Sequence, residues 1–352
     1  MVVAVLQCPC LVIIDLQIIN ETNECILSSN NYELTAQMRN PQMSKTTFGK
    51  IIERYRKKLN VSQKIVHEGI GSQASYRSGE SDEREVDFVI QETILARLGQ
   101  SAADFELILD DEEYDMWMER LAIRSSLAGN DYVALDALVK EYRREHAAKH
   151  KLHEQFCLYY EAKLAEWRGE ARSIVGSLAA EALGLTKQIE DMPQVHQSLY
   201  TPMELDLLLT LIRCRHGKWN NLFKNGNCLQ QIIEYVGAYY SVERQEDIEG
   251  QAWLELLRIS WKYDGPEQLL VYIDKAIACF SGATGIERLG EVRFMKAKLL
   301  WRGYEEAVDK KQQLHLCKEE CKMAYCIFDV LRRREKVQEI EEFCLGELQW
   351  HI

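Results

Sequence analysis

The sequence predicts an all-α protein, a small basic helical unit followed by a longer body of helical hairpins. Three observations predict this. Only five prolines occur in 352 residues, and none lies between Pro41 and Pro193. A proline inside a helix costs about 3 kcal/mol, so a long proline-free stretch suits continuous helix. Apolar residues recur at helical spacing in successive stripes from Phe48 onward. Five glycine-centred segments also resemble one another along the chain, at intervals of roughly 40 to 48 residues.

Composition narrows the class. Hydrophobic residues at 47% and charged residues at 28% are ordinary for a globular chain, and they exclude a collagen-like, disordered or disulfide-framework protein. The length suggests roughly two domains. The net charge of −12 argues against a general nucleic-acid coat. Its distribution is uneven, however. Residues 43–78 hold eight basic and two acidic side chains, so that segment is +6 and the remainder is −18. This points to a small anion-binding module on an acidic body. The eleven cysteines include no CxxC pair, which fits free thiols in a reducing cytoplasm. On a helix Cys317 and Cys321 would share one face as small apolar residues.

The first 43 residues read as an atypical N-terminal extension. Val2–Ile19 is apolar but interrupted by Cys8, Pro9, Cys10 and Asp15, too short and broken for a membrane helix, and its alternation suits a strand. It lacks the basic start of a secretory signal. Met43 opens MSKTTFGKIIERYRKKL, which reads as a natural start, so translation is expected to begin there.

Residues 44–100 form the basic module. Phe48, Ile51, Ile52, Tyr55 and Leu59 mark one amphipathic helix carrying Arg54, Arg56, Lys57 and Lys58. Ser62 is an N-cap for a short helix Gln63–Glu68, which includes Lys64. Gly69-Ile70-Gly71 makes a turn, and Ser72 caps a third helix through Gln73, Ala74, Ser75, Tyr76 and Arg77. Helix, glycine turn, helix is the helix-turn-helix pattern. Lysine and arginine there can neutralise phosphates, and polar side chains at the start of the third helix can reach base edges. A further helix over Phe88–Leu98, stopped by Gly99, closes the module.

Residues 101–352 form the body. Asp110 to Glu113 can supply a capping box, followed by Tyr114, Trp117, Met118 and Leu121. Stripes follow at Tyr132–Tyr142 and Phe156–Trp167. Thr201-Pro202-Met203-Glu204 combines an N-cap, proline at the first helical position and glutamate at the third. SLAGNDYVAL, AEWRGEARSI, RCRHGKWNNL, WKYDGPEQLL and LLWRGYEEAV place turn glycines at Gly129, Gly169, Gly217, Gly265 and Gly303. Each is a helix, a turn and a second helix, so five hairpins are expected, with one long closing helix over Leu314–Leu345. Stacked hairpins leave a concave groove, and its first-helix polar candidates are Tyr159, Lys163, Arg213, Lys262 and Lys298.

RKKLNVSQKIVHEGIGSQASYRSGE resembles the lambda-repressor/Cro-type (XRE) helix-turn-helix of bacterial regulators. The resemblance implies a phosphate contact at Gln63 and an exposed recognition-helix start at Gln73, Ser75 and Tyr76. Where the family has a longer recognition helix, Tyr76 here runs directly into Arg77-Ser78-Gly79-Glu80, so a shortened third helix is expected, with extra loop at residues 81–83. The glycine-turn hairpins resemble tetratricopeptide repeats, though their period exceeds the usual ~34 residues. The two parts in this order, over about residues 44–350, are similar to the Rgg/PlcR-like class of peptide-responsive regulators. That resemblance implies a right-handed helical superhelix, a homodimer, double-stranded DNA as partner and a peptide or protein ligand. The other reading is a protein-interaction scaffold with a degenerate helix-turn-helix.

Nothing points to catalysis, a cofactor or a metal. His146, His150 and His153 lack the acidic partner of HExxH and read as solvated, with His146 and His150 on one helix face. Walker, GxGxxG and GxSxG patterns are absent.

Overall fold

The computed structural model describes residues 47–352, except 106, 108, 189–194, 241 and 281–284. The expectations for the N-terminal extension and the start at Met43 therefore lie outside the described residues. Phe48–Ile352 makes one compact unit, and among the described residues it is built from helices without strands.

Four helices come first: α1 (Phe48–Lys58), α2 (Gln63–His67), α3 (Gln73–Glu80) and α4 (Phe88–Arg97). Both serine caps form: Ser62 accepts from the Ile65 amide and Ser72 from the Ser75 amide. Ile52, Val66, Ile70, Tyr76, Phe88, Ile94 and Leu95 make their core.

The body follows as five helix–turn–helix units, the third opened so that its second helix packs chiefly on the helix after it. They are α5 (Asp111–Ala128) with α6 (Tyr132–His146), α7 (Lys151–Trp167) with α8 (Arg172–Gly184), and α9 (Pro202–Cys214) with α10 (Leu222–Tyr239). Then come α11 (Val242–Ser260) with α12 (Pro266–Phe280), and α13 (Ile286–Arg302) with α14 (Lys310–Val330). The five expected glycines occupy the five turns. The capping boxes at Asp110/Glu113 and Thr201/Glu204 both form. Each hairpin buries its inner faces on its neighbours, giving a continuous apolar core through α12 and into α13, and a second small cluster around α14 and the last helix.

Three expectations are corrected. The long closing helix is two: α14 ends at Val330, Arg332 turns left-handed at φ 55°, and α15 (Arg334–Gly346) packs back. Cys317 and Cys321 do share a buried face, and Cys344 of α15 reaches it because the chain reverses there. The histidines are the second correction. His150 is the N-cap of α7, not a neighbour of His146 on one helix. His146 and His153 are buried, stacked around Tyr142, whose hydroxyl lies 2.6 Å from His153 Nδ1 and accepts from Arg120 at 3.0 Å. Glu119, Glu145 and His146 bring ligand atoms together, but His146 Nε2 is already engaged with Glu119 at 2.9 Å. Third, the stripe of α5 faces outward except at Trp117, which packs on the core. Tyr114, Met118 and Leu121 are exposed while Met116, Arg120 and Ile123 point inward. α5 turns inward on Arg120, which pairs with Glu92 at 2.9 Å and lies over the Phe156 ring.

Candidate nucleic-acid interface and ligand groove

The helix-turn-helix is organised by one carboxylate. Glu80 ends α3 in the interior and accepts from Arg56 Nε at 2.9 Å, Arg56 Nη2 at 2.6 Å and Gln63 Nε2 at 2.7 Å. Arg56 also donates to the Val61 carbonyl, and Arg77 Nε reaches Gln63 Oε1 at 3.3 Å. Glu80 therefore ties α1, α2 and α3 together. Burial opposes the Arg56 charge, yet the hydrogen bond and charge of Glu80 outweigh it and raise its pKa.

These contacts sort the nine candidates. Lys57, Lys58, Lys64, Gln73, Ser75 and Arg77 are exposed on the outer surface. Lys57 pairs with Glu53 one turn back, a weak solvent-exposed pair. Ser75 Oγ lies 2.9 Å from Ser72 Oγ. Arg56 and Gln63 are turned inward to Glu80, a correction: a buried carboxylate competes for them more effectively than solvent. Tyr76 is also corrected. It is 6% exposed, its ring lies 5.5 Å from His67, and its hydroxyl has no hydrogen-bond partner among the described residues. It is core, because position 76 falls on the inward face of α3 with Glu80, four residues on. The helix also runs on past Arg77. Gly79 and Glu80 lie within it, and a Cβ on Gly79 would come 2.5 Å from Val86. Lys50 and Arg54 of α1, on the basic helix expected to meet phosphates, are exposed with no ion-pair partner among the described residues.

A buried polar network fastens this unit to the body. Arg97 on α4 and Glu204 on α9 are both 0% exposed, with Nη2 at 2.7 Å and Nε at 3.3 Å from the carboxylate. Arg97 Nη1 donates to the carbonyls of Val66 and Glu68 at the end of α2. Glu204 also accepts from Thr186 Oγ1 at 2.6 Å and from the Thr201 amide at 2.7 Å. Burial alone would raise the Glu204 pKa. The charges of Arg97 and Lys187, with hydrogen bonds from Arg97 and Thr186, reverse this and bring it to about 2. Lys187 Nζ meets Glu68 at 2.9 Å, and Ser198 Oγ meets the same carboxylate at 2.6 Å. Gly69 has φ +66° and a Cβ there would lie 1.9 Å from the Thr186 carbonyl oxygen, so only glycine fits this approach.

In the body, α7, α9 and α11 present polar residues at i, i+4 and i+7. These are Tyr159, Lys163 and Glu166; Asp206, Thr210 and Arg213; and Gln251, Glu255 and Arg258. Tyr159 donates to Asp206 Oδ2 at 2.7 Å and Lys163 Nζ lies 2.6 Å from it. Burial would raise Asp206, but Lys163 and then Arg288 pull it down to about 2. Asp206 Oδ1 and Gln251 Oε1 are buried without a hydrogen-bond partner among the described residues. Arg213 meets Glu166 at 3.0 Å. Thus Tyr159, Lys163 and Arg213 come together around α9. Lys262 does not join them; it lies exposed in the turn after α11. Lys298 turns to α15, 2.9 Å from Glu339 and over the Phe294 ring. Asp206, Gln251, Glu255 and Arg258 were missed, although a polar Asp206 and Thr210 inside the leucine run of α9 was the available signal.

No family model matches the sequence, and no curated protein matches it. Solved structures do. Bacillus thuringiensis PlcR, in complex with the peptide PapR7 and DNA, is 17% identical and superposes with a TM-score of 0.48 over 84% of this chain and 99% of that one. ComR from S. thermophilus, in complex with DNA and its signalling peptide ComS, is 16% identical with a TM-score of 0.42 over 86% and 99%. The Streptococcus dysgalactiae SHP pheromone receptor Rgg2 is 13% identical with a TM-score of 0.32 over 84% and 97%. Both measures are low, and the functional reading rests on this chain's own side chains. Among the described residues no helix is long and apolar enough to cross a membrane.

Proposed function

We propose that this chain is a cytoplasmic, homodimeric DNA-binding transcription regulator of the XRE helix-turn-helix type, whose hairpin body senses a peptide or protein ligand. Residues 44–100 engage DNA and residues 101–352 sense and dimerise. The observation that carries this is the division of α3. Tyr76 and Glu80 face inward and hold the helix, while Gln73, Ser75 and Arg77 are exposed, as Lys58 and Lys64 are on the two preceding helices. Such a helix can enter the major groove with its first polar residues at base edges, flanked by cations for the phosphates. Two-fold pairing then calls for a palindromic operator. Regulation would be a population shift, the ligand favouring one arrangement of the body and with it one geometry of the paired DNA-binding units.

The test is titration of the full chain against labelled duplex from its own upstream region and against a scrambled duplex, at several salt concentrations. Selective binding to the first supports the reading. Equal, weak and salt-sensitive binding to both removes it and leaves a protein-interaction scaffold.

A further inference from the structure

We propose that the body holds an oxyanion-binding subsite, a place for a carboxylate or phosphate group of the sensed ligand, at the C-terminal ends of α7, α9 and α11. A cavity of about 430 Å³ opens there, walled also by the first turn of α8 and by α13. Four arginines and four glutamates line it, so the formal charges cancel. The pairing is uneven. Glu166 is taken by Arg213 at 3.0 Å, and Glu255 and Glu291 are both taken by Arg258. Glu170 turns to Arg168, at 3.8 Å, which is outside the lining. Every wall carboxylate thus has a cation, and two wall guanidiniums, Arg172 and Arg215, have no carboxylate among the described residues.

Two further features favour a negative group. α8 begins at Arg172, and its N-cap is Ala171, which makes no side-chain cap bond, so the positive end of a 13-residue helix is left unanswered at the cavity wall. Arg215 sits in the left-handed region, φ 50° and ψ 43°, which a side-chain-bearing residue adopts at a cost. That turn keeps its side chain among the cavity residues. Guanidinium forks and helix-terminal amides are groups suited to carboxylate and phosphate oxygens.

The subsite deepens the sensing half of the proposed function and rests on it for its purpose. Its test uses no DNA, so its failure and the failure of DNA recognition are read separately. The full chain is melted in increasing glutarate, in inorganic phosphate, and in sodium chloride of matched ionic strength. A saturable rise in melting midpoint with glutarate or phosphate beyond that in chloride is expected, and whichever acts more strongly identifies carboxylate or phosphate as the group. The double variant Arg172→Gln/Arg215→Gly is expected to weaken the apparent affinity about ten-fold or more, as loss of two charge-assisted hydrogen bonds should. Glycine relieves the left-handed turn, so this variant folds; Arg334→Gln on α15 keeps the response. Equal midpoints in all three salts, or an unchanged response in the double variant, overturns the proposal.

Discussion

Replacing Glu204 with alanine should uncouple the helix-turn-helix from the body. The side chain is 0% exposed, and so is its partner Arg97. Removing one member of a buried pair strands the other charge and costs about 3–5 kcal/mol. Titration gives a second route to the magnitude. A carboxyl held at about 2 instead of 4.5 favours its charged form in the fold by ~3 kcal/mol. Glu204 also closes the capping box of α9, whose loss adds about 1 kcal/mol. The expected destabilisation is therefore ~3–5 kcal/mol, measured by urea unfolding. All seven tryptophans lie beyond residue 100, so fluorescence follows the body alone while circular dichroism at the helix band follows both parts. In Glu204→Ala the dichroism transition should precede the fluorescence transition. The double variant Arg97→Met/Glu204→Leu removes both charges together; it leaves the Val66 and Glu68 carbonyls short of a donor and, like the single variant, the Thr186 hydroxyl and Thr201 amide short of an acceptor, but strands no buried charge. It should therefore be more stable than Glu204→Ala. A loss below about 1 kcal/mol in the single variant, or additive losses in the double, would refute the reasoning.

Other outcomes are expected. Gly69→Ala should lower stability by more than ~1 kcal/mol, since both its positive φ and the Thr186 carbonyl oppose a Cβ; an unchanged melt would mean the approach relaxes freely. Lys58→Ala with Lys64→Ala should leave the melt alone and reduce the salt slope of DNA binding by about 1 for each phosphate no longer neutralised. Arg56→Ala should instead destabilise the fold, because Glu80 loses its main partner; a slope change without destabilisation would reverse that assignment. Burial, reinforced by Arg120, holds His153 at about 3 rather than 6.5. The unfolded chain then binds the proton first, so stability falls as pH drops below about 6.5, by ~1.4 kcal/mol per unit. Unfolding at pH 7 and pH 5 should show about 2 kcal/mol of this loss, largely absent in His153→Gln. This window lies above the ordinary glutamate range, so the Glu204 carboxyl does not contribute to it.

Local rules made much of the fold legible. Ser62, Ser72, Asp110 and Thr201 announce helix starts because a cap depends on residues within one turn. The turn glycines marked five hairpins, because each turn is a short-range event repeated along the chain. The same rules misplaced whatever depends on a distant partner. Tyr76 is polar-tipped and close to the start of a recognition helix, yet its face is settled by the packing of α3 on α1 and α2. His146 and His153 look solvated between charged neighbours, and are buried only because α6 and α7 fold together around Tyr142.

By itself, then, the sequence determined that this chain is helical, where its helices begin, that they pair as hairpins, and that a compact positive segment precedes an acidic body. Periodicity, caps and charge counts are properties of neighbours in the chain. Tertiary structure alone decided which of those charges face outward. Glu80 lies 24 residues from Arg56 and withdraws it from solvent. Glu204 reads in sequence as the third position of a capping box and is that, but across 107 residues it is also the anchor of Arg97. Desolvated charges must find partners wherever the fold supplies them, and that pairing is set by packing rather than by spacing.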